Sequence, residues 1–243
     1  MCRPAQRIKI VLAGALGGVL PEIDALSLRS GFDRTIGQWL GLKHSGVDIY
    51  FGSEWYSHQA FFHSLLGLAL VTGTLWWLAS FFYTYMMRHA RDLGQAAHYL
   101  APYFIALGSG YLLHLMLDLF TPAGPWGGIQ LFFPLDRYVG GWGMIWWWNN
   151  YDIFLLLMMA LVINVVSMIS FSVLNRAARL IPSVIAICAL LSIAYQVNTR
   201  DFNFNQKGYV GREQASHRIQ QHTLNPQVYE WMTWVDEQLP VYF

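Results

Sequence analysis

Long runs of apolar residues alternate along this chain with short polar segments. Five runs are candidates to cross a bilayer, at residues 8–20, 64–87, 99–120, 153–174 and 180–197. Because about 20 apolar helical residues span the hydrocarbon core, this pattern predicts an all-α integral membrane protein with about five transmembrane helices. The run 99–120 carries His114 and Asp118 near its end, so those two side chains are expected to face protein or water.

The first run follows Arg3, Arg7 and Lys9 and resembles a signal peptide. Pro21 and Glu22 come directly after it and offer no small-residue cleavage site, so we expect a retained first helix. Proline is tolerated at membrane depth only where protein or a polar cavity surrounds it. The first helix is therefore expected to pack against its neighbours.

The composition agrees with a protein solvated by lipid. Of the 243 residues, 55% are hydrophobic and only 12% are charged, and the mean hydropathy is +0.34. A net charge of +1 without a long basic run lacks the positive surface that nucleic-acid binding requires. Nucleic acid is therefore excluded as a partner, and the lipid bilayer is the first expected one.

Basic residues in the short loops predict the orientation. A cytoplasmic N-terminus places these on the inner side: Arg3, Arg7, Lys9, Arg88, Arg91, Arg176 and Arg179. The outer loops then hold only Arg29, Arg34, Lys43 and Arg137. Since lysine and arginine favour the cytoplasmic side, we expect the N-terminus in the cytoplasm and the C-terminus outside.

The chain is expected to divide at the end of the last apolar run. Residues 1–197 form the predicted helical membrane domain, and residues 198–243 form a small polar extramembrane segment. Tyr229, Trp231 and Trp234 cluster late in this segment. Because tyrosine and tryptophan favour the membrane–water interface, the segment is predicted to lie against the membrane.

Ionisable side chains collect near one membrane face, where three predicted helices begin or end. They are Glu22 and Asp24 after the first helix, His58 and His63 before the second, and His114 and Asp118 at the end of the third. Ionisable groups at membrane depth are costly and often mark functional sites. All six side chains are able to ligate a metal ion.

Helix geometry predicts that these groups meet at a common depth. At 1.5 Å per residue, His63 lies roughly 7–8 Å and His114 roughly 9 Å below the surface. His114 and Asp118 are four residues apart and therefore share one helix face. His58 and His63 are about 140° apart around an ideal helix, so both reach one ion only if His58 lies on the entering loop.

Imidazole nitrogens mixed with carboxylate oxygens suit zinc, manganese or iron, whereas calcium and magnesium prefer oxygen ligands alone. The expected ligands are Asp24, His63, His114 and Asp118, with His58 and Glu22 as further candidates. The set is large enough for one ion or two. The alternative is a structural polar network, in which Asp24 caps a helix.

At these residues the sequence resembles the YdjM/YbcI family of predicted bacterial inner-membrane metal-dependent hydrolases. Three blocks match in order: Leu20-Pro21-Glu22-Ile23-Asp24, then His58 through His63-Ser64, then Gly110-Tyr111 followed by His114, Asp118, Thr121 and Gly124. The resemblance covers roughly residues 10–135. It implies a metal site and a bacterial inner-membrane location, so the C-terminus expected outside the cytoplasm is expected in the periplasm.

The chain departs from the family pattern at four positions. Glu22 replaces an aspartate, and Gln59, Ala60 and Phe62 replace an arginine, a glycine and a threonine. The metal-binding residue types are retained. A cation and a hydroxyl able to stabilise an anionic transition state are lost, and such donors contribute several kcal/mol to catalysis.

The first functional hypothesis is a membrane-embedded metal-dependent hydrolase with an open coordination position for water. Glu22 is the expected general base, and Ser64 is expected to hydrogen-bond and orient His63. The reaction is cleavage of an ester or phosphoester. The depth of the site favours a lipid or lipid-linked substrate.

The second hypothesis is a non-catalytic, metal-stabilised accessory or assembly subunit that binds a partner membrane protein. The lost arginine and threonine favour it, and a closed coordination shell would be its signature. A third hypothesis, an ion or proton pathway, requires polar groups across the membrane. The inner half offers only weak candidates such as Asn164.

Overall fold

The computed structural model describes residues 4–86, 89, 91–121, 126–142, 151–169, 180–199, 217–218, 220–222 and 224–238. These residues are helical with connecting loops and contain no strand, and a bridge joins Ile129 and Val139. The α-helices are α1 Pro4–Val19, α2 Gln38–Leu40, α3 Gly46–Phe51, α4 Leu65–Phe81, α5 Leu93–Asp118, α6 Tyr151–Ile169, α7 Ile181–Thr199 and α8 Pro226–Gln238. The predicted all-α class is confirmed.

Within the described part of the chain, three helical segments are long and apolar enough to cross a membrane: Gln6–Leu28, Leu65–Met86 and Leu93–Asp118. The first is longer than the apolar run 8–20 because α1 continues directly into a 3₁₀ helix, Leu20–Leu28. Pro21 does not interrupt it, since proline at the start of a helix loses no hydrogen bond. The second is α4 extended by a π-helical turn, Phe82–Met86.

The last two predicted spans correspond to α6 and α7, whose apolar stretches are shorter, Tyr151–Ser167 and Ile181–Gln196. The end of the predicted run 153–174 lies outside the described residues, as do Arg3, Arg88, Arg176 and Arg179. Residues 200–216 of the polar tail lie outside them too. The orientation of the termini remains a prediction.

Backbone contacts divide the chain into two compact units, Met1–Gly141 and Trp142–Phe243. The first unit contains α1 to α5 and all six metal-competent residues. The second contains α6, α7 and α8. The predicted limit at residue 198, which separates membrane from extramembrane chain, is a different division and stays a prediction.

Small residues allow α1 and α5 to pack with their backbones in contact. A Cβ atom added to Gly17 would overlap the backbone of Leu107, and one added to Gly110 would overlap the carbonyl oxygen of Gly14. Close approach through small residues is the usual way in which helices associate in lipid. It brings the end of α1 beside the last turns of α5.

The loop that contains residues 129–131 lies against the start of α4 and completes the first unit. The Leu65 amide donates to the Leu131 carbonyl at 3.0 Å. Tyr111, Leu115, Ile129 and Leu131 form a buried apolar cluster between this loop and α5. The phenol of Tyr111 also donates a 2.5 Å hydrogen bond to the Phe62 carbonyl. These contacts fix the backbone that carries His63.

Candidate metal centre

The 3₁₀ helix Leu20–Leu28 presents its two carboxylates in different environments. The side chain of Glu22 is 39% exposed, whereas that of Asp24 is 4% exposed. A 3₁₀ helix turns about 120° per residue, so two positions separated by one residue point in different directions. Glu22 therefore lies on the open side of the site and Asp24 on the closed side.

The two principal histidines come from separate elements. His63 ends the short 3₁₀ helix Phe61–His63, directly before α4, and its side chain is fully buried. His114 and Asp118 occupy the last turns of α5, and the 3.1 Å distance from His114 Nε2 to Asp118 Oδ2 confirms the predicted shared helix face. The expectation that these helix ends meet is confirmed.

Four side-chain atoms converge on one small volume. His114 Nε2 lies 3.1 Å from Asp118 Oδ2 and 3.3 Å from Glu22 Oε1. His63 Nε2 lies 3.6 Å from the same Asp118 oxygen and 3.8 Å from the same Glu22 oxygen. Two imidazole nitrogens and two carboxylate oxygens thus face one another.

Most of these atoms have no hydrogen-bond partner among the described residues. His63 Nε2, His114 Nε2 and Asp118 Oδ2 are buried and unpaired. Buried polar groups are almost always hydrogen-bonded or bound to an ion. Three unpaired atoms directed at one volume therefore indicate a site for a cation.

The backbone of α1 sets the tautomer of His114. His114 Nδ1 lies 2.8 Å from the Gly18 carbonyl oxygen, and a carbonyl only accepts, so Nδ1 carries the proton. In the neutral ring the lone pair is then on Nε2, the atom that faces Glu22 and Asp118. A ring N–H held by a backbone carbonyl is the usual support for a histidine that binds metal.

The nitrogen–oxygen distances are of the size found between ligands of one ion. Ligands at about 2.0–2.2 Å from zinc lie about 3.3–3.6 Å from one another at the corners of a tetrahedron. The four nitrogen–oxygen distances of 3.1–3.8 Å bracket that range. His63, His114 and Asp118 form one group with metal-binding spacing, and Glu22, the most exposed of the four side chains, lies beside the two histidines.

His58 and Asp24 lie behind His63 instead of facing His114. His58 Nδ1 is 2.8 Å from Asp24 Oδ1, and His58 Nε2 is 3.1 Å from the side-chain amide nitrogen of Gln59. Since the amide donates, His58 Nδ1 carries the proton and donates to Asp24. Asp24 Oδ2 also lies 3.7 Å from His63 Nδ1. Glu22, His58 and His63 nevertheless form a second group with metal-binding spacing.

The expected hydrogen bond between Ser64 and His63 is absent. Ser64 Oγ donates to the Phe61 carbonyl at 2.6 Å and accepts from the Gly67 amide at 2.9 Å. The hydroxyl therefore caps the N-terminus of α4. The two ring nitrogens of His63 have no hydrogen-bond partner among the described residues, so Ser64 positions His63 only through the backbone.

Two further residues, Tyr50 and Gln59, belong to the site. The ring of Tyr50 in α3 stacks on His58 at 4.3 Å between centroids. Burial raises the pKa of this phenol, and the negative charges of Glu22, Asp24 and Asp118 raise it further, so Tyr50 stays neutral. Gln59 has a φ of 65°, a conformation that side-chain-bearing residues rarely adopt and that clusters at functional sites.

The backbone of Gln59 also helps to hold the loop that carries His58 in place. Its carbonyl accepts a 2.8 Å hydrogen bond from the Gln130 amide, which ties the histidine-bearing loop to residues 129–131. The matched block of the sequence pointed to this position, as the site of a lost arginine. Nothing in the sequence pointed to Tyr50.

Comparison with known proteins identifies a family. A family model described as YdjM inner membrane protein matches residues 2–201. No curated protein and no solved structure matches the chain.

Proposed function

The chain belongs to the YdjM inner membrane protein family, and we propose that it is a membrane-embedded, metal-dependent hydrolase. Its apolar helices place it in the bilayer. The observation that carries the proposal is the convergence of unpaired, buried donor atoms from His63, His114 and Asp118 beside the exposed carboxylate of Glu22. The ester or phosphoester substrate, lipid or lipid-linked, is part of the proposal.

In this proposal His63 Nε2, His114 Nε2 and Asp118 Oδ2 hold one divalent ion, zinc before manganese or iron. Such an ion lowers the pKa of a water molecule toward neutrality and polarises an ester or phosphoester oxygen. Asp24 supports His63 from its Nδ1 side, and His58 holds Asp24. Partners one step removed from a metal commonly change affinity about 10- to 100-fold.

Glu22 is the proposed general base. Its Oε1 atom lies within 3.8 Å of both imidazoles, and its side chain is the most exposed of the four. The Glu22 carboxylate accepts a proton from the attacking water and passes it to the leaving oxygen. General-base catalysis of this kind contributes roughly 10²- to 10⁴-fold to the rate.

A second candidate function depends on whether Glu22 is itself a metal ligand. If Glu22 ligates the ion, four protein atoms close the shell, which is the mark of a structural zinc site. The chain is then a metal-stabilised accessory subunit whose ion fastens three spans together. Glutamine at position 59 and phenylalanine at position 62, which lack the family's cation and hydroxyl, favour this candidate.

Glu22→Gln distinguishes the two. The full chain, purified in detergent, is assayed for bound metal and for cleavage of a chromogenic carboxylic ester and a chromogenic phosphodiester. A base predicts retained metal and a loss of at least roughly 100-fold in turnover. A fourth ligand predicts weakened metal binding and no metal-dependent turnover in the wild type.

Glu54→Gln is the matched control, since Glu54 lies outside the metal-binding groups. It is expected to keep both metal and turnover. Wild-type protein whose turnover is unchanged by a chelator would overturn the hydrolase proposal. Full activity in Glu22→Gln would remove Glu22 as the base.

A further inference from the structure

The segment from Arg29 to Val47 connects the first span to α3 and exposes large apolar side chains. Trp39 is 83% exposed, Leu40 55% and Ile36 43%. These residues lie within one π-helical and α-helical stretch, Asp33–Leu40, so all three are presented close together. Contiguous exposed apolar surface usually marks an interaction site.

The same segment carries cations without ion-pair partners. Arg29, Arg34 and Lys43 are exposed, and no ion pair involves them within the described part of the first unit. The nearby acidic side chains accept hydrogen bonds from other groups instead. Asp33 Oδ1 accepts a 2.6 Å hydrogen bond from the Gly46 amide, and Asp48 Oδ2 accepts one from Ser45 at 2.7 Å. The segment therefore presents free positive charge beside its apolar residues.

The position of the segment identifies what covers it. Arg29 is the first residue after the span Gln6–Leu28, so the segment begins at the membrane surface, at the face where the metal centre lies. Tryptophan with arginine and lysine is the typical composition of chain that lies in the headgroup layer. Cations there attract anionic lipid.

We propose that residues 29–47 form a binding surface for anionic phospholipid. Ile36, Trp39 and Leu40 enter the interface, and Arg34 and Lys43 contact lipid phosphates. This proposal stands without the hydrolase activity, because it rests on exposure and charge alone.

The surface is joined to the metal centre through α3. The hydrogen bond from the Gly46 amide to Asp33 holds the early part of the segment to the first turn of α3. Helix α3 also carries the Tyr50 ring that stacks on His58. A Cβ atom on Gly46 would overlap the Ser27 carbonyl oxygen, so α3 packs directly on the 3₁₀ helix that carries Glu22. Lipid bound here is held beside the candidate site.

The first test compares two charge-matched double variants of the full chain in detergent. Arg34→Gln/Lys43→Gln removes two cations from the surface, and Lys9→Gln/Arg91→Gln removes two exposed cations elsewhere. Binding of phosphatidylglycerol and of phosphatidylcholine is measured by native mass spectrometry. We expect the first variant to bind phosphatidylglycerol roughly tenfold more weakly than the second, with phosphatidylcholine unchanged.

The second test places a fluorophore at the apolar part. Trp39→Cys, in a Cys2→Ser/Cys188→Ser background, is labelled and reconstituted in phosphatidylcholine–phosphatidylglycerol nanodiscs. Quenching by lipids that carry a nitroxide near the headgroup supports the proposal. Equal phosphatidylglycerol loss in both double variants overturns it. A label that these lipids do not quench overturns it too, whether water or another protein surface surrounds the label.

Discussion

Removal of one nitrogen donor is the most direct test of the candidate metal centre. We expect wild-type protein to bind close to one zinc ion per chain and His114→Ala to lose most of it. His114 Nε2 forms the two shortest distances in the cluster, 3.1 Å to Asp118 and 3.3 Å to Glu22. Its loss leaves one nitrogen donor at the site, and we expect affinity to fall by roughly 100-fold or more.

The size of the effect follows from linkage between binding and folding. At free zinc 100-fold above the dissociation constant, binding adds about 2.7 kcal/mol to the free energy of unfolding. A 100-fold weaker site adds only about 0.4 kcal/mol at the same zinc concentration. For a chain of this size the difference corresponds to roughly 5–9 °C in melting temperature.

The assay measures zinc by mass spectrometry of the element and melting temperature with and without zinc, in one detergent. His98→Ala is the matched control, because His98 lies on the same helix α5 and is exposed. It is expected to behave as wild type. X-ray absorption of the zinc form is expected to give nitrogen and oxygen neighbours at about 2.0–2.1 Å.

Two results would refute the reasoning. One is equal zinc content and equal zinc-dependent stabilisation in wild type and His114→Ala. The other is an absorption spectrum with sulfur neighbours, because no cysteine belongs to the metal-binding groups.

Three further predictions concern the surroundings of the centre. Ser64→Ala removes the cap of α4 and should lower the free energy of unfolding by about 1 kcal/mol while metal content is kept; Ser64→Thr should restore the stability, and metal loss in Ser64→Ala would contradict a purely capping role. Gly17→Ala should destabilise by about 1–3 kcal/mol through overlap with α5, whereas Gly73→Ala, where a Cβ meets open space, should not; equal melting temperatures would contradict close packing of α1 on α5. Zinc affinity should fall as the pH is lowered, because protons compete with the metal ion for the imidazole nitrogens; affinity that stays constant down to about pH 5 would contradict histidine ligation.

The contacts that depend on local periodicity were predictable. Four-residue spacing on α5 placed His114 beside Asp118, and residue counts from the helix ends placed His63 at a similar depth. Both follow from the fixed rise and turn of an α-helix. Convergence of these residues is confirmed for that reason.

The roles of Glu22 and Asp24 were harder to anticipate. Both lie in the 3₁₀ helix into which α1 continues at Leu20. The change from α to 3₁₀ geometry alters which side each carboxylate faces. The sequence favoured Asp24 as a ligand and Glu22 as a base, whereas Glu22 is the carboxylate that faces His114.

The remaining differences between prediction and structure concern Ser64 and Tyr50. Ser64 directly precedes an apolar run, a pattern typical of a helix cap, and this signal was available in the sequence. The stacking of Tyr50 on His58 joins helix α3 to the loop that follows it, and no local pattern encodes it.

The order in which the donors leave the ribosome bears on how the proposed centre would acquire an ion. Glu22 and Asp118 belong to the first and third spans, and His63 lies just before the second. Leu131, which holds the start of α4, is made after all of them. Before the third span is inserted, the chain provides a single histidine from the four-atom cluster. If the centre binds an ion, metallation is therefore expected to follow membrane insertion of the third span.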